Sequence, residues 1–277
     1  MTFDVKLLSA AIGAEITGVD LNVPVSTDVQ NEIYQVLIDR SVIFFPGQDI
    51  TPAAHRAFAA TFGTLGQRHP LYAHVPGFEE ITLLSFGAGN PPDTDGWHTD
   101  LTFQQRPPFA SVLVARDLPP VGGDTLWSSL CAAYDALPDE VKAHIAGKVA
   151  AHDMGEFRNE FAKGESDGIK ITEAMQRFGC ALHPMVATHP VTGRPILYVN
   201  EGFTTHVVGM NSRQSRRLLT YLFDHLDRPE YQVRHTWQPG TLAMWDNRCT
   251  SHYAVADYLP ASRTMHRITV VDDTRAK

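Results

Sequence analysis

Thr241-Leu242-Ala243-Met244-Trp245-Asp246-Asn247-Arg248-Cys249-Thr250-Ser251-His252 begins as a short apolar run and ends on a histidine. Far upstream stands Trp97-His98-Thr99-Asp100. The apolar half of the first stretch reads as a buried strand. In an extended segment side chains two apart share a face, so His98 and Asp100 can converge on one ion while Thr99 points away. With His252 added, two imidazoles and one carboxylate cap one face of an iron(II) ion and leave three positions open. That donor set is the pattern of non-haem iron oxygenases. Arg263 and Arg267 follow the distal histidine. Four residues apart on a strand, they point to the same face and into the same cavity, as two small anions beside a metal would require.

At 277 residues and 43% apolar, the chain can bury a sizeable core, as one large domain or two small ones. No apolar run reaches transmembrane length, and Met1-Thr2-Phe3-Asp4-Val5-Lys6 lacks the plan of a secretory signal. Cys131, Cys180 and Cys249 cannot all pair and their spacing offers no zinc motif, which predicts a cytoplasmic setting. A formal net charge of −8 argues against a nucleic-acid surface. An anionic substrate therefore needs a local cationic pocket.

The chain shows no repeat and no domain boundary, so one domain over residues 1–277 is expected. A strand-like stretch runs to about Ile16. Ser26-Thr27-Asp28 signals a helix carrying Val29, Ile33, Val36 and Leu37 at helical period. Ser41–Phe45 reads as a strand, and Thr51-Pro52 starts a second helix with Phe58 and Phe62 a turn apart. Strands are predicted at Glu80–Leu84, Ala110–Ala115, Asp124–Trp127, Tyr231–Trp237, Thr241–Trp245 and Arg263–Val271. Helices are predicted at Pro138–Ile145 and Asn211–Leu226, the latter burying Leu218, Leu219, Leu222, Phe223 and Leu226. Residues 155–180 are a polar excursion. Many antiparallel strands with helices gathered at the N-terminus and in insertions predict a mainly β, α+β fold. Its expected architecture is a double-sheet jelly roll with helical cover and a metal in its mouth.

Asp93-Thr94-Asp95-Gly96-Trp97-His98-Thr99-Asp100-Leu101-Thr102-Phe103, Gly122-Gly123-Asp124-Thr125-Leu126-Trp127 and Asn200-Glu201-Gly202-Phe203-Thr204-Thr205 resemble the taurine dioxygenase family. Trp245 through His252 to Arg267 does so as well. These are iron(II)- and 2-oxoglutarate-dependent dioxygenases on a double-stranded β-helix. The resemblance implies that His98, Asp100 and His252 bind Fe(II). Arg263 and Thr125 would hold the distal carboxylate of 2-oxoglutarate, and Arg267 the substrate anion. His69, Tyr72, Asp93, Leu101 and Phe203 would complete the substrate pocket, with Asp93 near an ammonium. O2 is the further cosubstrate implied, and a homodimer or tetramer the assembly. The implied reaction is hydroxylation of taurine, or a close small sulfonate, at the carbon bearing sulfur, releasing sulfite, aminoacetaldehyde, succinate and CO2. Three features depart from the pattern: Thr94 stands in place of an amide, His206 in place of an arginine, and the stretch Asp153–Asn159 diverges. Alkyl sulfate esters or another small anion are the alternative substrates, and a metal-binding jelly roll without turnover the alternative class.

Blander readings exist for each residue. The three metal-type side chains could form a hydrogen-bonded polar cluster, the arginines could be structural salt bridges, and Asp93 could cap a turn.

Overall fold

A computed structural model of the chain describes residues 2–69, 72–92, 96–154 and 179–276. Asp93 and Thr94 lie outside the described residues, as does nearly all of the 155–180 excursion. The fold is mainly β with few helices. The large sheet has the order β1-β2-β3-β14-β6-β16-β5-β4. Its strands are β1 (Asp4–Leu7), β2 (Ala14–Thr17), β3 (Val42–Phe45), β4 (His74–Val75), β5 (Phe78–Phe86), β6 (Ala110–Asp117), β14 (Leu242–Asp246) and β16 (Arg263–Val270). The opening strand-like stretch is thus two antiparallel strands, turned at Gly13, where φ is +90°. Only glycine takes that backbone without penalty.

The two N-terminal helices form where their caps predict. Ser26 accepts a hydrogen bond from the Val29 amide ahead of α1 (Thr27–Arg40), and Thr51 does the same for Ala54 ahead of α2 (Pro52–Ala60). Both helices cover one face of the large sheet. Ile33, Leu37, Phe58 and Phe62 bury against Phe45, Val112, Val114, Ile268 and Val270.

The other face meets a second sheet of order β13-β7-β15, formed by β7 (Thr125–Ser129), β13 (Gln232–His235) and β15 (Thr250–Ala254). Trp127, Val233 and Trp237 pack there against Phe44, Leu113, Trp245 and Met265. β15 carries His252 and lies in no predicted strand. Its sequence, Thr250-Ser251-His252-Tyr253-Ala254, alternates too little in hydropathy for period 2 to show. α3 (Leu130–Asp135), which follows β7, joins α4 (Asp139–Ile145) and α5 (Ser212–Leu226) in a second apolar cluster. Asn211 caps α5; of its expected face Leu219, Leu222 and Leu226 are buried, while Leu218 and Phe223 are partly so. A third sheet, β12-β8-β9, joins β8 (Val149–His152), β9 (Ala181–Pro184) and β12 (Thr204–Val207). Among the described residues no helix is long and apolar enough to cross a membrane.

β16 presents two faces. Arg263, Met265 and Arg267 are buried toward the second sheet, whereas Ile268 and Val270 join the helix-covered core. Both arginines therefore enter the space between the sheets, as their spacing predicts.

Candidate metal and cosubstrate site

The two histidines are brought together by backbone. His98 and His252 exchange both main-chain hydrogen bonds of an isolated antiparallel bridge, at 3.0 and 2.7 Å. Directly opposed residues of such a pair project to the same side, and the imidazole centroids lie 4.1 Å apart. Nε2 of His98 is 4.0 Å and Nε2 of His252 3.8 Å from Oδ1 of Asp100. One ligand-type atom from each of the three buried residues falls within 4.8 Å of the others. His98 Nδ1–H donates to the Gly96 carbonyl at 2.8 Å, which leaves the Nε2 lone pair facing the other two donors. Burial, chiefly, pushes the His252 imidazole down to about 3, so it is in the neutral form that a metal would require. This donor set fits iron(II).

Asp100 itself is not in a strand. It sits in a turn, and the next residue, Leu101, has φ +56°. The rule that side chains two apart share a face thus places His98 but does not by itself place Asp100. Asn247 does. Its Oδ1 accepts from the Asp100 amide at 2.9 Å, and its Nδ2 donates to the Asp100 carbonyl at 3.0 Å and to Pro108 O at 3.2 Å. One side-chain amide therefore supplies the donor and acceptor that a neighbouring strand would. Ser111 Oγ–H donates to Asp100 Oδ2 at 2.7 Å, and Arg267 donates to Oδ1 at 3.0 Å. Burial works to raise this carboxyl, but the Arg267 cation first, with the two adjacent imidazoles and the Ser111 hydrogen bond, holds it well below its ordinary range.

Neither Asn247 nor Ser111 was singled out from the sequence. Ser111 did leave a signal: it is the polar member of the wholly buried run Ala110–Ala115, and a buried hydroxyl needs a partner. Outer partners of metal ligands commonly contribute 10–100-fold in metal affinity. Asn247→Ala is accordingly expected to weaken Mn(II) binding by about tenfold or more, read by titrating the metal's spin resonance signal. Unchanged affinity would show that the backbone of Asp100 holds itself.

The structure brings Arg263 and Thr125 together. Arg263 Nη2 donates to Thr125 Oγ1 at 3.1 Å, and Trp237 Nε1 donates to the same oxygen at 3.0 Å. Both acceptor sites of the hydroxyl are then filled, which turns its own O–H into a donor aimed elsewhere. Arg263 is buried, its Nε has no partner, and no carboxylate lies within 4 Å of it among the described residues. The nearby Asp124 is held by Arg234 at 2.6 Å. Burial lowers the guanidinium to about 10. A buried, uncompensated fork beside a hydroxyl donor fits a carboxylate ligand. Gly123 makes room for it: its φ is +73°, and a Cβ there would stand 3.2 Å from Arg263 Cδ.

The substrate-type residues gather on the Arg267 side. Tyr72 N–H donates to His69 Nδ1 at 3.3 Å, so the ring carries its proton on Nε2. Burial first, and the charge of Arg267 second, push that imidazole down to about 3. The His69 and Tyr72 rings lie 4.6 Å apart, and Tyr72 meets Phe86 edge-on at 6.5 Å. Phe203 is buried, edge-on to His98 at 6.3 Å and 5.1 Å from Phe103. Asp93 lies outside the described residues.

Two imidazoles and a carboxylate around one point, beside a buried arginine with no carboxylate partner among the described residues, make a candidate metal site with an adjoining candidate carboxylate pocket. The family model for the taurine catabolism dioxygenase TauD, TfdA family matches residues 4–269, and the chain belongs to that family. It is an α-ketoglutarate-dependent dioxygenase, using Fe(II), 2-oxoglutarate and O2. It is 32% identical to an alpha-ketoglutarate-dependent sulfate ester dioxygenase of Pseudomonas putida, over 99% of this chain and 91% of the relative. The crystal structure of a taurine dioxygenase from Burkholderia xenovorans is 36% identical, with a TM-score of 0.84 over 99% of this chain and 90% of that one. AAD-2, solved with Mn(II) and N-oxalylglycine, is 31% identical, with a TM-score of 0.82 over the whole of both chains.

Proposed function

We propose that the chain is a single catalytic domain, a double-stranded β-helix, that hydroxylates taurine or a close small sulfonate at the carbon bearing sulfur. His98, Asp100 and His252 would hold the iron, which supplies the oxidising chemistry with 2-oxoglutarate and O2. Arg263 and the Thr125 hydroxyl would grip the distal carboxylate of 2-oxoglutarate. Arg267 and His69 would meet the substrate anion, with Tyr72, Leu101 and Phe203 walling the pocket and Asp93 near the ammonium. Phe203, Phe103 and Phe86 keep water from the reacting carbon. Hydroxylation there releases sulfite and aminoacetaldehyde.

The observation that carries the reading is the charge of the enclosed site. Iron(II) and 2-oxoglutarate cancel, and Asp100 cancels Arg267, its partner at 3.0 Å. Arg263 remains as one uncompensated positive charge, and the three imidazoles are neutral or metal-bound. Asp93 offsets that charge, so a zwitterion with a monoanionic head keeps the site neutral, whereas an amine-free anion leaves it negative. Sulfonates and sulfate monoesters are both monoanions, and the sulfate ester relative favours the latter as a second reading.

Turnover should therefore be followed with taurine, a short amine-free alkanesulfonate and an alkyl sulfate, measuring 2-oxoglutarate consumed and sulfite or aldehyde formed. Taurine is expected to lead by roughly tenfold to a hundredfold, because its ammonium pairs Asp93, and Asp93→Ala should shrink that margin. A wild-type preference for the alkyl sulfate sinks the taurine reading and leaves the sulfate-ester one.

A further inference from the structure

Around Thr102 lies a buried polar network that none of the roles above uses. Thr102 Oγ1 accepts from Asn200 Nδ2 at 3.0 Å and meets His152 Nδ1 at 3.1 Å. Its carbonyl accepts from His183 Nε2 at 2.8 Å, which also reaches Gln104 O at 3.1 Å. The far nitrogen of His152 meets Thr204 Oγ1 at 3.3 Å, and that hydroxyl accepts from the Asn200 amide at 2.9 Å. Asn200 Oδ1 in turn accepts from the Phe203 amide at 2.9 Å, while Phe203 O accepts from Asp153 N at 3.0 Å. Thr102 and His152 are wholly buried, and Asn200 nearly so. Burial pushes His152 down to about 3. The neutral ring holds one proton, so it donates to one threonine and accepts from the other.

The network grips both walls of the pocket at once. On one side it holds Thr102, the residue after Leu101, and the left-handed backbone of Leu101 (φ +56°) persists only where neighbours impose it. On the other it fixes the amide of Phe203. Asp100, by contrast, has its own clamps in Asn247, Ser111 and Arg267.

We propose that Asn200, Thr102 and His152 are positioning residues that lock Leu101 and Phe203 in register across the substrate pocket. They thereby set where the substrate carbon sits without taking part in metal or 2-oxoglutarate binding. This rests on the reading of Leu101 and Phe203 as pocket walls.

Thr102→Val keeps the shape and removes the hydroxyl. It is expected to raise the KM of the sulfur substrate by on the order of tenfold, since small misplacements cost up to about a hundredfold. Succinate formed per sulfite released should rise about threefold, as 2-oxoglutarate is consumed without hydroxylation. Mn(II) affinity and the KM for 2-oxoglutarate should stay within about twofold. Asn200→Ala should do the same, and Thr102→Ser should restore wild-type values. If Thr102→Val does not fold, Thr204→Val reads the network from the Phe203 side. A lower melting temperature with unchanged substrate KM and unchanged coupling would overturn the proposal, as would a loss confined to Mn(II) or 2-oxoglutarate. Failure of the functional reading looks different: wild type would then prefer the alkyl sulfate, or release no product from any member of the substrate panel.

Discussion

Asp100→Ala is expected to abolish both divalent metal binding and 2-oxoglutarate consumption. The carboxylate is the sole anionic donor of the three-residue cluster. Two neutral imidazoles alone give a much weaker site, because first-row metals in such sites rely on ligand number and charge. The substitution also strands Arg267, which donates to Asp100 Oδ1 at 3.0 Å in a buried pair. Removing one partner of a buried pair costs about 3–5 kcal/mol of stability. Asp100→Asn separates the two effects, since an amide oxygen still accepts from Ser111 or Arg267 while the anionic donor is gone. Its fold should survive and its metal affinity should not. His98→Ala and His252→Ala should be equally inactive, because the other described His/Asp/Cys cluster, His189, Asp246 and Cys249, is a separate group tied up by Arg248. Metal titration and turnover check all four variants, and metal-dependent activity in any alanine variant would remove the metal assignment.

Arg263 should matter for a different constant. Replacing it with methionine leaves the carboxylate of 2-oxoglutarate buried without a cation. The expected loss is about 3–5 kcal/mol, on the order of a thousandfold in 2-oxoglutarate affinity. Arg263→Lys keeps a charge but loses the planar fork and the bond to Thr125, for about 1.5–3 kcal/mol. The pH profile distinguishes them further. The cation is the binding form, so affinity is held at low pH and lost as pH rises through the group's pKa. For Arg263 burial puts that point at about 10. A buried ammonium loses its proton more readily than a guanidinium, so the lysine variant should weaken at lower pH than wild type. In both variants the substrate KM should move little. Isothermal titration with 2-oxoglutarate at several pH values reads all of this, and an unchanged affinity in Arg263→Met would move the cosubstrate pocket elsewhere.

Much of the molecule is legible in its residues. Caps at Ser26, Thr51 and Asn211 locate three helices, and apolar runs locate β3, β6 and β14, because these signals are local and do not depend on packing. The even spacing of Arg263 and Arg267 puts both guanidinium groups between the sheets for the same reason: a strand has period 2 whatever surrounds it. The resemblance to the family's motifs, not donor chemistry alone, points to His98, Asp100 and His252 among the 13 histidines. What brings them together is not local. The histidines meet through a two-residue bridge between segments that share no sequence pattern. Asp100 is turned inward by an amide from Asn247, and Leu101 is held left-handed against its own preference by contacts on either side. The strand β15 forms because β7 offers it a ladder, not because its own residues demand one. Periodicity and capping are properties of a segment, whereas a strained turn beside a metal ligand is stable only when distant groups supply its hydrogen bonds, and those partners exist only once the sheets have packed.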